Sequence, residues 1–158
     1  MSIAVTPLCQ RDVRWAGRPL GTSPLTIGDA GCLLCCVAMV ANWAGDDVEP
    51  GELNALLRYV EGYESENLLR WYAAARVTPL RLEALGSCPL TPAPLEDIGR
   101  HLDAGRPVIA QVQRPGTEHW VLLVSRWEYV DPWDGEMKTM VDPAREILGW
   151  AVYAKKEQ

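Results

Sequence analysis

With 158 residues, 48% of them apolar, the chain can build a hydrophobic core without disulfides or metals, and its length suits a single domain over 1–158. Its net charge is −6 and its only basic cluster is the Lys155–Lys156 pair, which excludes a phosphate-binding stripe, so no nucleic-acid partner is expected. No apolar run approaches a membrane span and no polar tract argues for disorder.

Residues 1–31 read as loop, punctuated by Pro7, Gly17, Pro19, Gly21, Pro24 and Gly28. The first residues lack a basic start followed by an apolar stretch, so the expected location is cytoplasmic, with a virion-associated setting as the alternative. Residues 32–44 predict a helix closed by Gly45. Apart from Asn42 that helix is apolar all round, which places it at the centre of a domain. A second helix is expected after Pro50, over 52–60, and a third over 66–76. Residues 77–85 read as a strand, and Pro94 opens a fourth helix that stops at Gly105. Strand patterns then follow at 107–113, 119–127, 128–133, 137–141 and 148–154. Helices precede strands, the order of an α+β domain with an antiparallel sheet.

The chain has two histidines. His101 lies in a polar helical segment between Arg100 and Asp103 and reads as surface helix. His119 opens the apolar run His-Trp-Val-Leu-Leu-Val, and Asp131 ends the next strand-like stretch. A hairpin centred near Ser125 sets His119 and Asp131 opposite each other, close enough for a carboxylate to orient an imidazole. Cys32 follows Gly31 and begins the buried helix, where unpaired N–H groups and the helix dipole favour a thiolate. Gly31 leaves room for a substrate carbonyl to approach the backbone. Trp15, Trp120 and Trp133 are candidate walls of a substrate site.

Each residue also has an ordinary role open to it. His119 can be a hydrogen-bonded core histidine, Asp131 a turn-former before Pro132, and any of the Trp residues core packing. The odd count of five cysteines argues for reduced thiols. Cys35, Cys36 and Cys88 read as inert core, and Cys9 lies in a loop. The Cys32-x-x-Cys35 spacing lacks a second ligand pair, so no metal is expected.

Ordered motifs add to this reading. Cys9-Gln10-Arg11-Asp12-Val13-Arg14-Trp15, then Thr26-Ile27-Gly28-Asp29-Ala30-Gly31-Cys32 and Ala38-Met39-Val40, resemble the N-terminal half of stand-alone C39-like peptidases. Pro50-Gly51-Glu52-Leu53-Asn54, Asn67-Leu68-Leu69 with Trp71, and Gly105-Arg106-Pro107-Val108-Ile109 resemble that family's middle segments. His119-Trp120-Val121-Leu122 and Asp131-Pro132-Trp133-Asp134-Gly135 are similar to its C-terminal ones. The resemblance spans residues 7–154 and implies a papain-like fold with a central nucleophile helix packed on a C-terminal antiparallel sheet. It implies Cys32 as nucleophile, His119 as general base and then acid, Asp131 as its orienter, and Gln10 as an oxyanion donor beside the Cys32 N–H. No cofactor is implied, and the partner is a peptide or protein substrate. The chain departs from the family after Cys32, where Leu33, Leu34, Cys35 and Cys36 stand in place of small or hydroxyl residues.

The same residues serve protein deamidation or acyl transfer, and fold does not choose among these reactions. A different class of function also fits: a non-catalytic binding module on a peptidase scaffold, such as a subunit of a bacterial or phage particle. Specificity is expected from loops 16–30, 60–66, 86–93 and 114–118.

Overall fold

The computed structural model describes residues 2–88 and 91–157. The helical part comes first: α1 (Ile27–Ala30), α2 (Cys32–Trp43) and α3 (Pro50–Tyr59), then a small ribbon of β1 (Tyr63–Glu64) and β2 (Leu68–Leu69), then α4 (Trp71–Val77). The chain continues through β3 (Leu80–Ser87), α5 (Leu95–Asp103), β4 (Val108–Arg114), β5 (Thr117–Leu123), β6 (Glu128–Asp131), β7 (Glu136–Thr139), α6 (Pro143–Glu146) and β8 (Ile147–Lys155). The main sheet has order β3-β8-β4-β5-β6-β7 and is antiparallel throughout. The architecture is α+β, as the helix-then-strand order predicts.

The apolar run after Cys32 forms α2 because it holds no Pro or Gly and can bury every side. Leu33 through Ala41 are all buried. Gly45 and Gly105, at φ +102° and +80°, stop α2 and α5 in the left-handed conformation that only glycine adopts at no steric cost. The strands sort their residues by period two. On β4, Ile109 faces α2, whereas Val108, Ala110 and Val112 face the opposite side. There Ile98 and Leu102 of α5 cover Val121, Leu123 and Val152. The sheet is therefore covered on both faces, by α2 with α3 and α4 on one side and by α5 on the other.

Three expectations need correction. Residues 66–76 are not one helix. Leu68 is exposed and Leu69 buried, a strand alternation, and the chain becomes helical only at Trp71. Ser65, at φ +54°, turns β1 back onto β2. The strand over 119–127 ends at Leu123, since Ser125 N–H and Val124 N–H both donate to the Glu128 carbonyl in a tight turn. The β5–β6 register pairs Leu122 with Val130 and Leu123 with Tyr129, so the hairpin centres on Arg126 rather than Ser125. Among the described residues, no helix is long and apolar enough to cross a membrane.

The α1–α2 junction sets the position of Cys32. Thr26 and Asp29 form a reciprocal capping box that fixes α1. A Cβ on Gly31 would lie 2.5 Å from the Ile27 carbonyl and 2.7 Å from Ile27 Cγ2. Both obstacles belong to a buried turn that cannot retreat, so Gly31→Ala is expected to lower stability by about 1–3 kcal/mol, checked by urea denaturation against wild type. An unchanged midpoint would show that the junction is looser than its packing indicates.

Candidate active site

Cys32 is the first residue of α2 and is half-buried, whereas Cys35 and Cys36, one turn deeper, are fully buried. As the first helical residue, its N–H has no intrahelical acceptor. Burial pushes the Cys35 and Cys36 thiols far up, so neither ionises at neutral pH. The Leu33-Leu34-Cys35-Cys36 run thus supplies apolar bulk beneath the helix start.

His119 and Asp131 meet from neighbouring strands. Continued past Leu122–Val130, the register sets Asp131 across from Val121 and one diagonal step from His119. The shift leaves both side chains on one face, so the contact survives it: His119 Nε2 lies 2.7 Å from Asp131 Oδ1. With Nε2 taken by Asp131, Nδ1 is the ring nitrogen left for another partner, and the Cys32 thiol adds to the raising of His119. Burial works against the imidazolium. The hydrogen bonds to Asp131 and Cys32 outweigh it, and His119 is raised to about 9. For Asp131, burial is again opposed and outweighed, here by His119, Lys138 and the Trp133 N–H, and its carboxyl stays well below the usual range.

Asp131 is the hub of the site. Its Oδ1 also accepts the Trp133 N–H at 2.9 Å, and its Oδ2 accepts Lys138 Nζ at 2.7 Å. The following turn anchors the N-terminal loop. Gln10 N–H donates to the Pro132 carbonyl at 2.7 Å, and Arg11 Nε donates to the Trp133 carbonyl at 2.8 Å. Trp15 Nε1 closes the loop on the Cys9 carbonyl. Gln10 is buried, its Nε2 donating to the Gly28 carbonyl at 3.1 Å while its Oε1 has no partner. One amide N–H of Gln10 remains uncommitted.

A groove of about 980 Å³ is lined by the chain neighbours of Cys32 and His119, while Cys32, His119, Asp131 and Gln10 themselves do not line it. Leu33 and Trp120, the residues following Cys32 and His119, form its near end. Trp71 stands edge-on to Trp120, with ring centroids 5.4 Å apart, and Trp150, Leu69 and Gln111 extend the lining. Of the proposed walls, Trp120 lines the groove, while Trp15 is buried in the core. Trp133 lies outside the groove, its ring under the Arg11 guanidinium at 4.3 Å. Gly31 also lies outside it, its missing side chain being required by Ile27. Loop 60–66 contributes through Val60, Glu61 and Glu64, and loop 86–93 through Gly86 and Ser87. Loops 16–30 and 114–118 do not line it, and Pro89 and Leu90 lie outside the described residues. Among the described residues, no group of three or more His, Cys, Asp or Glu is placed to hold a metal ion.

Lys138 went unremarked in the sequence. The signal was present: a four-residue turn from Asp131 to Glu136 sets position 138 diagonal to Asp131.

No family model and no curated protein matches the chain. Among solved structures, the crystal structure of a protein described as a "putative C39-like peptidase" from Bacillus anthracis matches with a TM-score of 0.53. The match covers 96% of this chain and 96% of that one, at 13% sequence identity. The fold is papain-like. At that identity the likeness speaks for the fold of a cysteine peptidase and leaves the activity to the site.

The shifts at His119 and Asp131 make stability depend on pH. A raised His119 contributes stability fully below its unfolded value of about 6.5 and loses it as pH rises through about 9. A lowered Asp131 contributes above its ordinary value of 3.8 and loses it on acidification. Asp131→Asn is therefore expected to bring the His119 titration, followed by NMR, down from about 9 toward the ordinary histidine value. The difference in urea midpoint between wild type and variant should be largest near pH 5–6 and narrow above pH 9. A His119 titration unmoved by the variant would show that the carboxylate does not hold the imidazolium.

Proposed function

We propose that the chain is a cysteine peptidase that cleaves an amide bond of an extended peptide or protein through a Cys32 acyl-enzyme. The observation supporting this reading is the His119 ring, held by Asp131 at 2.7 Å and raised by both Asp131 and Cys32, with Cys32 the first residue of a buried helix. In that arrangement a proton moves from the Cys32 thiol to His119, leaving a thiolate–imidazolium pair. Asp131 fixes the ring and stabilises the imidazolium.

The thiolate attacks the scissile carbonyl carbon, and the carbonyl π electrons move onto oxygen. The uncommitted N–H of Gln10 and the backbone N–H of Cys32 stabilise that oxyanion. The imidazolium then protonates the amide nitrogen as the C–N bond breaks, releasing the amine and leaving a thioester. Water, deprotonated by His119, attacks the thioester and the tetrahedral adduct collapses to a free carboxylate and the Cys32 thiolate. No step calls on a cofactor. The groove beyond Leu33 and Trp120 favours a chain over a single side chain as substrate, and so hydrolysis of a peptide over deamidation of an isolated amide.

Two measurements test the proposal. Substoichiometric iodoacetamide at mildly acidic pH, mapped by mass spectrometry, is expected to label Cys32 alone, and His119→Ala is expected to abolish the fast labelling. Slow labelling of Cys32, or equal labelling of every accessible thiol, would point instead to a binding module. Against a peptide library, Cys32→Ala is expected to lose turnover, and Gln10→Ala to lower kcat by about 10²–10³-fold with an unchanged circular dichroism spectrum. Release of ammonia without a new amino terminus would turn the reading to deamidation.

A further inference from the structure

We propose that Lys138 is a positioning residue that locks the plane of the Asp131 carboxylate for His119, a role that rests on the peptidase reading for its effect on rate. A carboxylate held at one oxygen is restrained about its Cβ–Cγ bond by those bonds alone, and a partner on its second oxygen narrows the torsion further. His119 and the Trp133 N–H both engage Oδ1 and leave Oδ2 for a further partner. Lys138 Nζ reaches Oδ2 at 2.7 Å and supplies the missing third point. Lys138 is itself held, since the same Nζ lies 2.8 Å from Asp134 Oδ2. Asp134 is fixed in turn by accepting the Glu136 N–H at 3.0 Å.

The ammonium also balances charge. Asp131 and Asp134 share one turn, and Glu136 is the direct strand partner of Asp131. Lys138 is the cation bonded to both aspartates. Arg11 approaches the same turn from the N-terminal loop but spends its Nε on the Trp133 carbonyl. On the other side, His119 faces Cys32, Cys36 lies fully buried near Asp131, and Glu118 is occupied by Gln111 Nε2 at 2.7 Å. Lys138 thus sets both the orientation of Asp131 and how strongly its charge is felt by the imidazolium.

The test uses Lys138→Met, which keeps length without charge, Lys138→Arg, which keeps charge, and Asp134→Asn, which frees the lysine without touching Asp131. Lys138→Met is expected to lower kcat/KM on the order of 10- to 100-fold through misplacement of the ring. It should also shift the His119 NMR titration upward, because the carboxylates around it are no longer offset. Lys138→Arg should restore the titration and most of the rate, and Asp134→Asn should give a smaller rate loss with Lys138 still charged. Unchanged kcat/KM and an unmoved titration in Lys138→Met would overturn the role. So would a rate loss with an unmoved titration, or one that Arg fails to rescue, since either marks a merely structural residue. The titration needs no turnover. If wild-type Cys32 proves unreactive while Lys138→Met still moves His119, the peptidase reading fails and the Lys138–Asp131–His119 linkage stands.

Discussion

The arrangement of this site depends on a helix that is buried from Leu33 to Ala41 yet starts at a half-buried cysteine. Leu33 through Ala41 have nowhere to go but the core, and that burial presses α2 against the middle of the sheet. At the N-terminal end of the helix, the first residue, Cys32, is half-buried. The α1 capping box and the close approach of Gly31 to Ile27 then fix the direction from which the helix starts. The thiol and the helix N-terminus are thereby delivered together to His119.

The second organising element is the turn after Asp131. One short segment supplies the carboxylate for His119, the carbonyl that holds Gln10, the carbonyl that holds Arg11, and the aspartate that braces Lys138. The N-terminal loop has no regular structure of its own, and these bonds substitute for a sheet ladder. Gln10 is pinned at its backbone and at its amide nitrogen. Its Oε1 is the one buried polar side-chain atom without a hydrogen-bond partner among the described residues.

Electrostatics in the site are arranged as an alternating chain: His119, Asp131, Lys138, Asp134. Each charge sits between two of opposite sign, or at the end beside one. Burial opposes ionisation at His119 and at Asp131, and at both the hydrogen bonds outweigh it. The deeper thiols have no such partners, and for them burial decides the outcome.

How much was legible in the sequence follows from the range of the forces involved. The apolar run after Cys32, the glycine stops at 45 and 105, and the alternation of β4 and β5 are set by near neighbours, and the sequence by itself determined them. It also carried Cys32, His119, Asp131 and Gln10 as candidates in order along the chain. The split of 66–76 into β2 and α4 escaped it because Leu68 and Leu69 differ only in which side finds a partner. The diagonal His119–Asp131 register depended on a turn one residue off the simplest hairpin. Lys138 and the groove belong wholly to the tertiary structure. The groove forms because β8, the last strand, inserts between β3 and β4 and brings Trp150 toward Trp120 and Trp71. Strand order and register are decided by pairings between distant segments, which no local pattern of residues encodes.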